Sequence, residues 1–231
     1  INNTGGSGSN TVTLSNAGTT ATTLNLTNGI FSIGNNVQFN IANNGAVNAT
    51  SGSLASGNAA GTINFLGTGT VNATATLNFW NVNLPAGSGG VNFGSTGNPT
   101  IHNELVINNN RFVDVNAPFY ANTSTLVYNS GNTFLAANEW FANVQSGRGV
   151  PHHVRIGRAG TNNTQLSFDI SNAYRQCLGD ITIGDGTGSG FGLSLGTNSG
   201  GDLRVSGNWL RYPNGVFTTN NRAVFFTGNG N

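Results

Sequence analysis

Residues 61–84 read GTINFLGTGTVNATATLNFWNVNL, and in them apolar side chains recur two positions apart: Ile63 with Phe65, Leu77 with Phe79, Val82 with Leu84. A period of two belongs to a strand with one buried face, because successive Cβ atoms point to opposite sides of a sheet. The pairs are broken by Gly, Thr and Asn, so the stretch predicts short strands with a turn or bend after each. Nothing in it has the three-to-four spacing of a helix.

Outward from this stretch the pattern continues. Toward the N-terminus lie Val12 and Leu14, Leu24 and Leu26, and then Val37, Phe39 and Ile41. Toward the C-terminus come Leu105 with Ile107, Leu126 with Tyr128, Val154 with Ile156, Ile181 with Ile183, Leu203 with Val205 and Val224 with Phe226. The connections are Asn28-Gly29, Asn43-Asn44-Gly45, GSGG at 87–90 and GDGTGSG at 184–190. Gly and Asn take positive φ at little cost, which makes these segments turns. A single turn at Ala136–Phe141 is the only helical signal.

Short strands at this spacing fit two all-β architectures, a parallel β-helix (β-solenoid) and an antiparallel β-sandwich. Asn-Gly dipeptides favour the sandwich, since they close tight hairpins. The uncharged surface, the wealth of Asn and the scarcity of long loops favour the solenoid, in which coils of roughly 20–25 residues stack like on like. We therefore expect residues 1–231 to form one continuous β-solenoid with about two strands per coil, the β-sandwich being the alternative. Residues 1–60 follow the pattern more loosely.

Charge is distributed unusually. No Asp, Glu, Lys, Arg or His precedes residue 102, and charged residues make up 6% of the chain against the roughly 25% usual for soluble domains. Hydroxyls and amides must then keep the surface wet, which suits Asn and Thr stacked in rows outside a sheet. All eight basic residues are Arg, none precedes Arg111, and the net charge is +1, so the clustered basic face that nucleic acid requires is missing. No run approaches the roughly 20 apolar residues of a membrane span, and no membrane insertion is expected. Cys177 is the single cysteine, which excludes an internal disulfide.

The phrases STLVYNSG (124–131), PHHV (151–154), GDLRVSGNW (201–209) and RAVFFTG (222–228), with the stretch at 61–84, resemble those of repetitive surface and secreted proteins of Bacteroidetes exported by the type IX secretion system. The resemblance runs from residue 61 to 230. It implies a right-handed parallel β-helix, export across both membranes, and a place at the cell surface or in the extracellular matrix. It brings no catalytic residues. A family member carries a C-terminal sorting domain that these residues do not resemble, so the chain is expected to be part of a longer polypeptide.

Several side chains are candidates for a site. Aromatic rings stack on sugar faces, which makes Trp80, Tyr120, Trp140, Trp209 and Tyr212 candidate glycan contacts. In adjacent pairs such as Phe79-Trp80 one ring should face inward and the other outward. His152-His153 suggests a metal, but neighbours in a strand point apart and further ligands are not visible. Asp180, Asp185 and the glycines at 184–190 faintly suggest calcium without matching a known loop, so no cofactor is assigned. The seven acids, Glu104, Asp114, Glu139, Asp169, Asp180, Asp185 and Asp202, stand singly, whereas glycan hydrolysis needs paired carboxylates.

These readings lead to a non-enzymatic extracellular protein, structural or adhesive. Its partners are neighbouring copies stacked end to end and extracellular glycans. A polysaccharide-processing enzyme and an ice-binding solenoid are the alternatives.

Overall fold

The structure, a computed structural model, describes residues 10–55, 61–74, 76–158, 163–168 and 173–228. Among them each strand that has a paired neighbour runs parallel to it, and antiparallel geometry is confined to an isolated bridge between Ala142 and Arg175. The chain is a parallel β-solenoid, with no helix among the described residues. That sets the β-sandwich aside, and one turn shows why its strongest signal misleads. Asn43-Asn44-Gly45 lies inside the strand Gln38–Ala49, where Asn44 adopts φ 59° and turns a corner. The part before the corner pairs with Thr62–Phe65 and the part after it with Gly69–Ala73. A Cβ on Gly45 would stand 2.5 Å from the Thr22 carbonyl oxygen of the coil beneath, so glycine is needed for close stacking rather than for a hairpin.

The largest sheet has 13 strands. Through its length Gln38–Ala49, Thr62–Phe65, Thr76–Leu84, Asn98–Asn108, Thr125–Asn129, His153–Ile156, Ile181–Ile183 and Trp209–Arg211 lie side by side in chain order. The register makes columns of like residues. Phe39, Ile63, Val82, Leu105, Leu126, Val154 and Ile181 stack one above another. All are buried, and Leu105 and Leu126 have no exposed surface. A one-residue slip would turn a strand's inward set to solvent, so the columns fix the register.

The later coils carry three strands rather than the expected two. His153–Ile156, Gln165–Ser167 and Arg175–Cys177 form one coil; Ile181–Ile183, Phe191–Ser194 and Leu203–Val205 the next; Trp209–Arg211, Gly215–Thr218 and Val224–Phe226 the one above. Coil length varies along the molecule, from 19 residues between Ile63 and Val82 to 28 between Leu126 and Val154. Asn40 meets Asn64, 24 residues on, but His153 meets Asp180 after 27.

A long excursion, from Ala136 to His152, departs from the expected scarcity of loops. It opens with the anticipated turn, where the Trp140 N–H donates to Ala137 O at 3.2 Å. Arg148 then ties it down, donating to the carbonyls of Gly94 (2.8 Å), Ala117 (2.9 Å) and Gly97 (2.7 Å).

Candidate functional site

Outward positions of the stacked strands carry amides. Because neighbouring parallel strands lie about 4.8 Å apart, an Asn at the same position of successive coils can bond its own kind. Asn64 donates to Asn40 Oδ1 (2.8 Å), Asn83 to Asn64 (2.9 Å), Asn108 to Asn83 (2.8 Å) and Asn129 to Asn108 (2.8 Å). Every bond points toward the preceding coil, so the amide dipoles align and polarise one another. A second row joins Asn25, Asn48 and Asn72 on another part of the surface. These are the rows that the uncharged composition led us to expect.

The longer row lies in a groove of about 460 Å³ across the large sheet, whose walls include Gln38, Thr62, Asn81, Asn103 and Val106. Glu104 and Arg158 stand at its end, Oε2 to NH1 3.2 Å apart and both partly exposed. Glu104 also borders an adjoining depression of about 220 Å³ lined by Thr125, His153, Arg155, Asp180 and Thr182. An amide floor thus passes into a charged step. The Asn129 Oδ1 atom, where the row stops, is buried and takes no hydrogen bond.

The candidate aromatics do not gather here. Trp140 is corrected outright: it has no exposed surface, its indole N–H donates to Gln176 O at 2.8 Å, and its ring meets Phe168 edge-on at 5.2 Å. A side chain so enclosed cannot stack on a sugar. Tyr120 packs against the core and spends its hydroxyl on Glu139 O at 2.8 Å, with burial holding its phenol well above the usual value. Trp209 rests on Phe217 in the last coil at 4.8 Å, and Tyr212 follows it, half-buried. Trp80 is half-buried beside a small depression with Phe31 and Leu54, while Phe79 points inward as its alternation demands. None of the five lines the groove.

The other candidates are occupied within the protein. His153 Nδ1 accepts the Asp180 N–H at 3.0 Å, so that nitrogen carries no proton for Asp180 Oδ2, 3.7 Å away, and the approach is not an ion pair. Burial first, and then the neighbouring imidazole of His153, lower the His152 pKa against the opposing pull of Asp180. Among the described residues no group of three or more His, Cys, Asp or Glu is placed to hold a metal. Asp185 Oδ1 accepts from the N–H groups of Thr187 and Gly188 and from Asn214, and Oδ2 accepts from the Thr187 hydroxyl. These bonds, the one from Gly188 foremost, hold its carboxyl below the ordinary range. The calcium-like string is therefore a turn closed by its own carboxylate. Cys177 is buried, which pushes its thiol up to about 12, and it lies against His152 O at 3.1 Å. Asp169 lies outside the described residues.

Inside the solenoid sits a carboxyl that sequence reasoning placed only among scattered acids. Glu139 is fully buried; its Oε1 accepts from the Tyr128 hydroxyl (3.0 Å) and the Ala137 N–H (2.8 Å), and its Oε2 has no partner. Burial raises its pKa against the opposing pull of these bonds and of Arg175.

No protein-family model, curated protein or solved structure matches this chain. No helix of the described residues is long and apolar enough to cross a membrane.

Proposed function

We propose that this chain is a non-enzymatic structural and adhesive element that works outside the cell, at a surface or in a matrix, as a stiff rod carrying an amide-lined face. The observation that carries the reading is the stack itself. Columns of apolar residues inside and aligned amides outside make a long parallel object with a hydrogen-bonded exterior. The resemblance of 61–230 to exported Bacteroidetes surface proteins agrees with it.

Axial association belongs to the same reading. At the C-terminal end the column Cys177, Val205, Phe226 passes from fully buried to 63% exposed, and Leu210, Val216 and Phe225 are exposed beside it. An open parallel edge with apolar side chains is suited to receive a further coil, from this polypeptide or from another copy. Electron microscopy and light scattering over a concentration series test this. Rods or end-to-end oligomers are expected, and a discrete monomer at high concentration would remove the filament version.

One observation favours a second reading. Glu104 stands where the two depressions join, as a reacting carboxylate of a polysaccharide-processing enzyme would. Incubation with pectin, alginate and chitin-type polymers, followed for new reducing ends or unsaturated products, separates turnover from simple attachment.

A further inference from the structure

We infer that the groove over Asn64, Asn83 and Asn108 is a binding site for a linear, uncharged glycan lying along the solenoid axis; this rests on the adhesive part of the reading above and assigns it a place and a ligand class. The groove crosses five strands, from Gln38–Ala49 to Thr125–Asn129, and then meets Arg158. With neighbours about 4.8 Å apart, that is roughly 20 Å, the length of a short oligosaccharide. The row also repeats at a distance comparable with the advance of one extended β-linked hexose, so successive sugars would meet equivalent partners.

The chemistry of the floor selects hydroxyls. An Asn side chain has two N–H donors and two acceptor lone pairs. Within the row Asn83 uses one N–H on Asn64 and one lone pair on Asn108, which leaves it a donor and an acceptor; Asn64 spends both N–H groups on Asn40 and Gln38, Asn108 spends its own on Asn83 and Leu84 O, and each keeps an acceptor lone pair. What remains is a floor richer in acceptors than donors, and a sugar hydroxyl, donor and acceptor at once, matches it.

Other ligands fit less well. Nucleic acid or a polyanion needs cations in excess, whereas Arg158 is set against Glu104. A peptide strand would want pockets for alternate side chains, and Val106 is the apolar side chain the walls offer. Ice requires a flat, regular face, and this one is concave and ends in charge.

The test uses the full chain and isothermal titration with neutral cello-, xylo- and chito-oligosaccharides, with polygalacturonate as the anionic probe. Thr62 stands in the groove between Gln38 and Asn81 without belonging to the row, so Thr62→Trp fills the groove and leaves the amides intact. At least one neutral oligomer is expected to bind with little salt dependence, and Thr62→Trp to weaken it by about tenfold or more at an unchanged Tm. Asn83→Leu should lose binding as well, with a lower Tm. The inference falls if no neutral oligomer binds, if binding survives Thr62→Trp, or if polygalacturonate alone binds with a steep salt response. Rod formation by microscopy is read separately: rods without glycan binding would sink this site and leave the structural reading standing.

Discussion

The coils before Glu104 and those after it share the same inward columns but satisfy their polar groups in different ways. Early coils are uncharged and short, 19 to 24 residues from one level of the large sheet to the next, and Asn answers Asn. From Leu126 on the coils are longer, 27 or 28 residues on the large sheet, and the part of the chain after Glu104 supplies the arginines, which reach carbonyls in both halves. Arg111 has no exposed surface and donates to Ser88 O (2.7 Å), 23 residues back, and to Phe65 O (2.8 Å), 46 residues back, besides Gly67 O. Arg148 holds three carbonyls and Arg175 reaches Ala136 O at 2.6 Å. Where turns vary, carbonyls lose their partner in the next coil, and a planar fork of five donors can collect several at once. The comparison teaches that outward strand positions in register need only a like neighbour, while turn carbonyls of either region need a long donor from elsewhere, here Arg111, Arg148 and Arg175.

The sharpest way to break this comparison is to remove the deepest fork. Arg111→Met leaves three carbonyls without a donor, and the expected cost is about 3–5 kcal/mol in urea unfolding. Arg111→Lys should recover little, since one ammonium lacks the planar fork that reaches acceptors on two successive coils at once. If lysine restored full stability, charge rather than fork geometry would be the reason for Arg. The corresponding cut in the early coils is smaller. Asn83→Ala removes two row bonds and should cost about 1–2 kcal/mol, and Asn72→Ala, which removes one bond of the other row, about half that. Equal losses at both positions would mean that the rows do not act as rows.

How far this contrast could be read beforehand follows from the same chemistry. The inward columns were legible because Ile63, Val82 and Leu105 alternate with polar neighbours, and the amide rows because a chain without charge must be solvated by something else. The third strand was legible in the last two coils, at Leu203 with Val205 and Val224 with Phe226, but not in the coil before them. Arg175-Gln176-Cys177 is buried at all three positions, two of them polar, so no alternation marks it. Trp140 misled because its excursion is not a strand, and the inward-outward rule has no force there. The groove depends on how segments about a coil apart line up, a relation that no local window contains. Arg111 looked like any surface cation until its carbonyl partners were in place.

A third test concerns direction more than size. Burial holds the Glu139 carboxyl above its ordinary 4.5, so the folded chain binds this proton more tightly than the unfolded one. Stability from this group is then complete below the ordinary value and is lost as pH rises through the raised one. Glu139→Gln keeps an acceptor for Tyr128 and Ala137 but cannot ionise. The variant should match the parent near pH 4 and exceed it in Tm near pH 8, a widening gap that a pH series of melts would show. A gap that narrowed with pH would mean that the nearby Arg175 outweighs burial.

The smallest expected effect lies at the boundary between the two regimes. Glu104 and Arg158 approach to 3.2 Å, but their side chains are 31% and 49% exposed, so solvent screens most of the attraction. A double-mutant cycle with Glu104→Gln and Arg158→Ala should give a coupling of no more than about 0.5 kcal/mol, vanishing near 1 M salt. The value bears on the groove because the pair closes its end. A weak coupling means that Arg158 can leave Glu104 for an arriving hydroxyl at little cost. A coupling well above 1 kcal/mol that resisted salt would mean a drier, fixed gate, and a glycan would then have to stop short of it, over Asn108.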